Sequence, residues 1–124
     1  MIPQPSISSA EWELMTLLWQ ESPLAASDLV EQLQAKRAWR PRTTRTLLDR
    51  LVKKGALEVR QEGKRYLYAP KVEMDACLRQ ESQSFLQRVF GGEPVSMLVH
   101  LVKNTELSPE EIAELKRILS EKEK

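Results

Sequence analysis

Apolar residues recur at helical spacing near the start of the chain and predict two amphipathic helices. The first begins at a capping box of Ser8 and Glu11, whose side chains can each bond an unpaired backbone N–H of the first turn. Its inward positions are Trp12, Met15, Leu18 and Trp19. A second helix is predicted over 25–35. Its inward positions are Ala26, Leu29, Val30 and Leu33.

A third helix and a hairpin follow. The helix covers about 42–54, and Gly55 provides the left-handed residue that commonly ends a helix. Two short alternating segments, 57–61 and 65–69, predict strands. Glu62-Gly63-Lys64 between them predicts a tight turn, because glycine tolerates the positive φ that such turns need.

The remainder of the chain is predicted to be helical. Helices are expected over 72–90 and 95–103, separated by a Gly-Gly pair, and a last helix starts at a second capping box of Ser108 and Glu111. The fold class is therefore mostly α with a small β-hairpin. The order of three helices and a hairpin in 1–70 predicts a winged helix-turn-helix domain.

The outward face of the third helix suits DNA. Its inward residues are Leu47, Leu48, Leu51 and Val52. The opposite side combines hydroxyl and basic groups at Thr43, Thr46, Arg50 and Lys53, with Arg42 and Arg45 at the helix start. Such a helix fits the major groove, where Thr and Arg can reach base edges or phosphates. Lys64 and Arg65 at the hairpin tip would add phosphate or minor-groove contacts.

Charge is distributed unevenly along the chain. Residues 36–65 carry eleven Lys and Arg against three acids, a net of +8, although the whole chain has a net charge of only +1. Residues 1–35 hold five acids and no Lys or Arg. The basic segment predicts a polyanionic partner. From charge alone, a solvated basic surface is an equal alternative.

Little in the composition favours an enzyme. The single cysteine, Cys77, and the single histidine, His100, form no set of nucleophile, base and orienting group, so neither catalysis nor a metal or cofactor is predicted. Cys77 is expected to be a packed core thiol, and His100 a core or interface residue. Residues 1–6 contain no basic segment, and no apolar run reaches membrane length, so a cytoplasmic protein without a signal peptide is expected.

Several motifs occur in an order that resembles the penicillinase-repressor family, the BlaI/MecI type. They lie at 8–15, 18–19, 43–55, 62–68, 81–90 and 107–115. The resemblance implies a winged-helix repressor that dimerises through its C-terminal helices and binds operators of dyad symmetry. It also implies that the base-reading positions are Arg42, Thr43, Thr46 and Arg50, on the face described above.

A dimer is also expected on physical grounds. Residues 71–124 carry many apolar side chains on at most three helices, and so small a unit rarely forms a stable core alone. The alternative is that these helices pack back on their own winged domain. The candidate dimerisation residues are Phe85, Leu86, Val89, Phe90, Leu98, Leu101, Val102, Ile112, Leu115 and Leu119.

The inducing signal stays open. In staphylococcal members of the family, cleavage of an Asn-Phe bond in the C-terminal helices ends repression, and the matching dipeptide here is His100-Leu101. A regulatory protease is thus a candidate partner, and cleavage elsewhere or another signal are alternatives. Copper-responsive relatives carry several C-terminal cysteines, which a chain with only Cys77 does not provide.

The expected function is sequence-specific repression by a homodimer, with the recognition helix of about 42–54 in the major groove of operator DNA. Two alternatives remain at this stage. A winged helix can act as a protein-interaction module without specific DNA binding. An activator would present the same DNA-binding face.

Overall fold

Helices and a small antiparallel sheet make up the protein, whose computed structural model describes residues 3–124. The helices are α1 (Ser9–Gln20), α2 (Ala26–Arg37), α3 (Pro41–Lys54), α4 (Met74–Phe90), α5 (Pro94–Asn104) and α6 (Pro109–Lys122). The strands are β1 (Leu24–Ala25), β2 (Leu57–Glu62) and β3 (Arg65–Pro70). The mostly α fold class with a β-hairpin is confirmed. Residues 1 and 2, which belong to the N-terminal segment expected to lack a signal peptide, lie outside the described residues.

The predicted capping box starts α1. The Ser8 amide donates to Glu11 Oε1 at 2.8 Å, and the Glu11 amide donates to Ser8 Oγ at 3.2 Å. These bonds satisfy two backbone donors that the helix itself leaves unpaired. Ile7, just before the cap, is buried against the helix.

The sheet has the order β1-β3-β2, and the hairpin of β2 and β3 forms its larger part. Glu62 pairs with Arg65, so the turn is the two residues Gly63 and Lys64, and Gly63 has a φ of +64°. The predicted turn was one residue longer. β1 was not predicted, because two residues are too few to show a periodic pattern, and this strand exists only through its pairing with β3.

One hydrophobic core joins α1, α2, α3 and the sheet. Its largest fully buried members are Leu14, Met15, Leu18, Leu29, Leu48, Leu51 and Leu57. Trp12 and Trp19 pack on it in an edge contact, with ring centroids 5.5 Å apart. The indole N–H of Trp19 donates to the Val72 carbonyl at 2.9 Å, which holds the segment before α4 against α1.

The chain divides into two compact units, residues 1–81 and 82–124, and the division falls inside α4. It lies later than the domain boundary predicted at 70/71, because the start of α4 belongs to the first core. Cys77 is buried there, as expected. Gln80 accepts from the Gln4 amide and donates to the Gln4 carbonyl, both at 2.7 Å. Whether function divides at 70/71 stays a prediction.

The second unit contains the end of α4, α5 and α6. Phe90 lies between Phe85 and His100, with centroid distances of 6.0 and 6.2 Å. The predicted capping box of Ser108 and Glu111 starts α6, with bonds of 2.8 and 3.1 Å. None of residues 82–124 is buried, and His100 is exposed on α5. Of the two roles expected for His100, the core role is wrong and the interface role stays a prediction.

Within the described part of the chain, no helix is both long and apolar enough to cross a membrane.

Candidate nucleic-acid interface

The helix α3 has one buried and one open face, as its sequence predicts. Leu47, Leu48 and Leu51 are at most 7% exposed and fill the core below the helix. The predicted DNA-binding residues of α3 are all exposed: Arg42, Thr43, Arg45, Thr46, Arg50 and Lys53. Nothing in residues 3–81 covers this face, so within its own unit it is open to a groove.

Two adjacent threonines of α3 lie on opposite faces of the helix, and only one of them can contact DNA. Thr43 is exposed, whereas its neighbour Thr44 is completely buried. The Thr44 hydroxyl has no hydrogen-bond partner among the described residues. Thr44 therefore belongs to the core and not to the candidate interface.

The cations of the basic segment fall into two groups. Some are held by acids of the chain: Arg37 Nη2 lies 2.8 Å from Glu13 Oε1, and Arg60 Nη2 lies 3.7 Å from Glu62 Oε2. By contrast, the outward cations of α3 make no ion pair within residues 3–124. They are Arg42, Arg45, Arg50 and Lys53. The unpaired positive charge is thus concentrated on the face predicted to meet DNA.

The hairpin brings two further predicted residues to this side. Lys64 lies in the turn, and Arg65 is the first residue of β3. Both line a cleft of about 160 Å³ together with Arg45 of α3 and residues 25–27 at the start of α2. Three cations from two elements thus meet beside a helix N-terminus whose backbone N–H groups lack a side-chain cap. This arrangement favours a phosphate group.

The positive charge of Arg65 is partly neutralised by Asp28, an acid that was not predicted as part of this site. Its Nη2 lies 3.8 Å from Asp28 Oδ2 in the first turn of α2, and the side chains of Arg65 and Asp28 are 65% and 49% exposed. The pair joins residues far apart in sequence, so no periodic pattern could have indicated it. An incoming phosphate would compete with Asp28 for Arg65.

A buried carboxylate fixes the C-terminal end of α3. Lys54 pairs with Glu11, whose side chain is 2% exposed, and Lys54 Nζ also donates to the Ser6 carbonyl at 2.9 Å. Burial pushes the pKa of Glu11 upward, but the hydrogen bonds from Lys54 and Ser8 outweigh it and hold that pKa below its usual value. Glu11 is therefore an anion at neutral pH, and it anchors α3 to α1.

The single cysteine, Cys77, is buried. Burial raises the pKa of the Cys77 thiol, which keeps it protonated and unreactive near neutral pH. Residues 3–124 contain no group of three His, Cys, Asp or Glu side chains that could hold a metal ion.

The predicted dimerisation residues are mostly exposed in the single chain. Leu86 and Phe90 are half-buried. The others are between 39% and 57% exposed: Phe85, Val89, Leu98, Leu101, Val102, Ile112, Leu115 and Leu119. An apolar surface of this extent, spread over α4, α5 and α6, is unusual on an isolated unit.

Comparison with known proteins agrees with this geometry. Residues 7–121 match the profile of the penicillinase repressor family. The chain is 38% identical over 117 residues to the penicillinase repressor of Bacillus licheniformis, covering 94% of this chain and 91% of that protein. It is 37% identical to the methicillin resistance regulatory protein MecI of Mammaliicoccus sciuri, covering 94% of each.

Solved structures give the same result. The DNA-binding domain of the repressor BlaI matches with a TM-score of 0.56 and 36% identity, over 61% of this chain and 93% of that one. Bacillus licheniformis BlaI in complex with the blaP half-operator matches with a TM-score of 0.54. MepR of Staphylococcus aureus shares the fold at 20% identity and a TM-score of 0.51. With the family profile matched along nearly its whole length, the chain belongs to the penicillinase repressor family.

Proposed function

We propose that this chain is a DNA-binding transcriptional repressor that acts as a homodimer on operators of dyad symmetry. The observation that carries the proposal is the open face of α3, where hydroxyl and unpaired basic side chains stand opposite a buried leucine face. A relative with 36% identity has been solved in complex with a half-operator, which supports DNA binding by this chain. The proposal implies a cytoplasmic location, because the protein must reach chromosomal DNA.

Sequence reading is assigned to four outward residues of α3. Thr43 and Thr46 each offer a hydroxyl to base edges and a methyl group to thymine, and Arg42 and Arg50 can form paired hydrogen bonds with guanine. In helix-turn-helix proteins the N-terminal residues of the recognition helix reach the bases. Arg45, Lys53, Lys64 and Arg65 are assigned to phosphates, which supply affinity without sequence preference.

Dimerisation is assigned to the second unit. Its exposed apolar residues, such as Leu98 and Val102, would be covered by a second copy of the chain. Two linked recognition helices bind two half-sites with a large gain in effective concentration. The dimer represses by occupying an operator that overlaps a promoter, and loss of dimerisation relieves repression.

A regulatory protease is proposed as one route to induction. The bond between His100 and Leu101 lies inside α5, and the His100 carbonyl accepts from Asn104 Nδ2 at 2.8 Å. Proteolysis depends on transient local opening of such a helix. Cleavage there would therefore require α5 to unwind first. The function proposed for the chain is binding, and no catalytic activity is proposed for it.

The test is binding to DNA from the region upstream of the chain's own gene, measured over a salt series. The wild type is compared with the double variant Thr43→Ala/Arg50→Ala, and Lys116→Ala in the second unit controls for loss of a surface cation. The wild type should bind with a slope of about −0.9 per neutralised phosphate in a plot of log K against log salt. The double variant should bind at least about tenfold more weakly.

Equal binding by the double variant and the wild type would contradict the assignment of the recognition helix. Failure of the wild type to bind at low salt would favour a protein-interaction module instead. A reporter gene placed behind the operator then separates repression from activation. If the chain is a repressor, deletion of the gene that encodes it should raise expression of the reporter.

A further inference from the structure

Arg40 lies just before α3 and is not among the residues assigned to the proposed DNA interface. It occupies the N-cap position with φ −70° and ψ 148°, and its side chain makes no capping hydrogen bond. Arginine is not among the residues that cap helices well; Ser, Thr, Asp and Asn are favoured because a side-chain oxygen accepts from the first turn. The helix start therefore lacks the side-chain cap that α1 and α6 have, as the starts of α2 and α5 also do.

The charges at this helix start are also unfavourable for the helix. The first turn of α3 contains no acid, and Arg42 stands at its second residue. The N-terminal end of a helix carries partial positive charge, so cations there are disfavoured. Arg40 is exposed and makes no ion pair or side-chain hydrogen bond within the described residues. No ion pair or hydrogen bond of residues 3–124 therefore accounts for a guanidinium at this position.

The location of Arg40 relative to the DNA-facing residues explains why an arginine stands at this position. The Thr43 amide donates to the Arg40 carbonyl at 3.0 Å, so Arg40 precedes Thr43 by one turn. Counted from Arg40, Thr43, Thr46 and Arg50 follow at steps of three or four residues, which is the spacing of a single helix face. Arg40 therefore extends this face at its N-terminal end, beyond the residues assigned to base edges.

We propose that Arg40 binds a phosphate of the operator backbone and that the chain gives up helix-cap stability for this contact. The inference rests on the proposed DNA-binding function. A phosphate partner is favoured over a base because Arg40 precedes the helix, and residues flanking a recognition helix contact the backbone. The phosphate also supplies the negative charge that the start of α3 lacks.

The test compares Arg40→Ser, which restores a favoured cap residue, with the wild type in both stability and operator binding. Arg40→Ser should raise the melting temperature by about 4 °C or more. It should weaken operator binding roughly tenfold and reduce the salt slope by about one. Arg40→Lys keeps a cation but not the cap, so it should bind within about threefold of the wild type without gaining stability.

Arg37→Ser is the matched control, because it removes the same charge three residues earlier from a side chain already paired with Glu13. If Arg37→Ser weakens binding as much as Arg40→Ser, the effect is general charge and the specific contact is refuted. If Arg40→Ser binds like the wild type while Thr43→Ala/Arg50→Ala loses binding, the inference fails and the proposed function stands. If none of these variants changes binding, the proposed function fails as well.

Discussion

The ion pair of Glu11 and Lys54 should respond very differently to removal of either partner. The Glu11 side chain is 2% exposed and that of Lys54 is 36% exposed. In Lys54→Met, a buried carboxylate loses its counterion, and breaking a buried pair in this way costs about 3–5 kcal/mol. In Glu11→Met, the remaining ammonium can turn to water. The loss is then one charge-assisted bond and one backbone cap, about 2–3 kcal/mol together.

The measurement is reversible unfolding of the single and double variants at pH 7, at one protein concentration because dimerisation also contributes to stability. The double variant Glu11→Met/Lys54→Met should be more stable than Lys54→Met alone, since it removes the orphaned charge together with its partner. A melting temperature that falls by about 3–6 °C per kcal/mol makes these differences easy to resolve.

The pH dependence provides a second readout. The folded state lowers the pKa of Glu11, so the ionised carboxylate adds to the free energy of unfolding. This stabilisation is fully present above the usual carboxyl pKa of 4.5 and is lost as the pH falls through the lower pKa of the folded state. The gap between wild type and Glu11→Met should therefore close in acid. If Lys54→Met lowered the free energy of unfolding at pH 7 no more than Glu11→Met does, the buried charge of Glu11 would not be what anchors α3.

Three further variants test other parts of the structure. Thr44→Val should raise the unfolding free energy by about 1 kcal/mol because it removes a buried hydroxyl without a partner, whereas Thr16→Val, which loses a 2.8 Å bond to a carbonyl, should not. In gel-shift titrations, Asp28→Asn should tighten DNA binding several-fold and steepen the salt slope because it frees Arg65; unchanged binding would show that Arg65 makes no phosphate contact. Leu98→Asp should yield monomers in sedimentation experiments, and persistence of a dimer would remove α5 from the interface.

Features encoded by neighbouring residues were predictable from the sequence. Both capping boxes, at Ser8 and Ser108, were predicted and confirmed, because each depends on residues only three positions apart. The two-sided character of α3 was predicted for the same reason, since periodicity assigns each residue to a face. A rotation of about 100° per residue also explains why Thr43 is exposed while Thr44, which was predicted for neither face, is buried.

Features that depend on distant residues were not predictable. β1 forms only because Leu24 and Ala25 meet β3, more than forty residues later in the chain. The pairing of Asp28 with Arg65 likewise needs the folded hairpin beside α2. The core role suggested for His100 failed because a single sequence gives its helical position but not the number of neighbours around α5.

The tryptophans make the two units optically distinct. The chain has three, Trp12, Trp19 and Trp39, and all belong to the unit of residues 1–81. Intrinsic fluorescence therefore follows only the unit with the DNA-binding face, and far-ultraviolet circular dichroism follows the helices of both. Loss of the bond between the Trp19 indole and the Val72 carbonyl should change the emission as the start of α4 leaves the core. Without any label, the two signals recorded in one melt report whether the units unfold together or in succession.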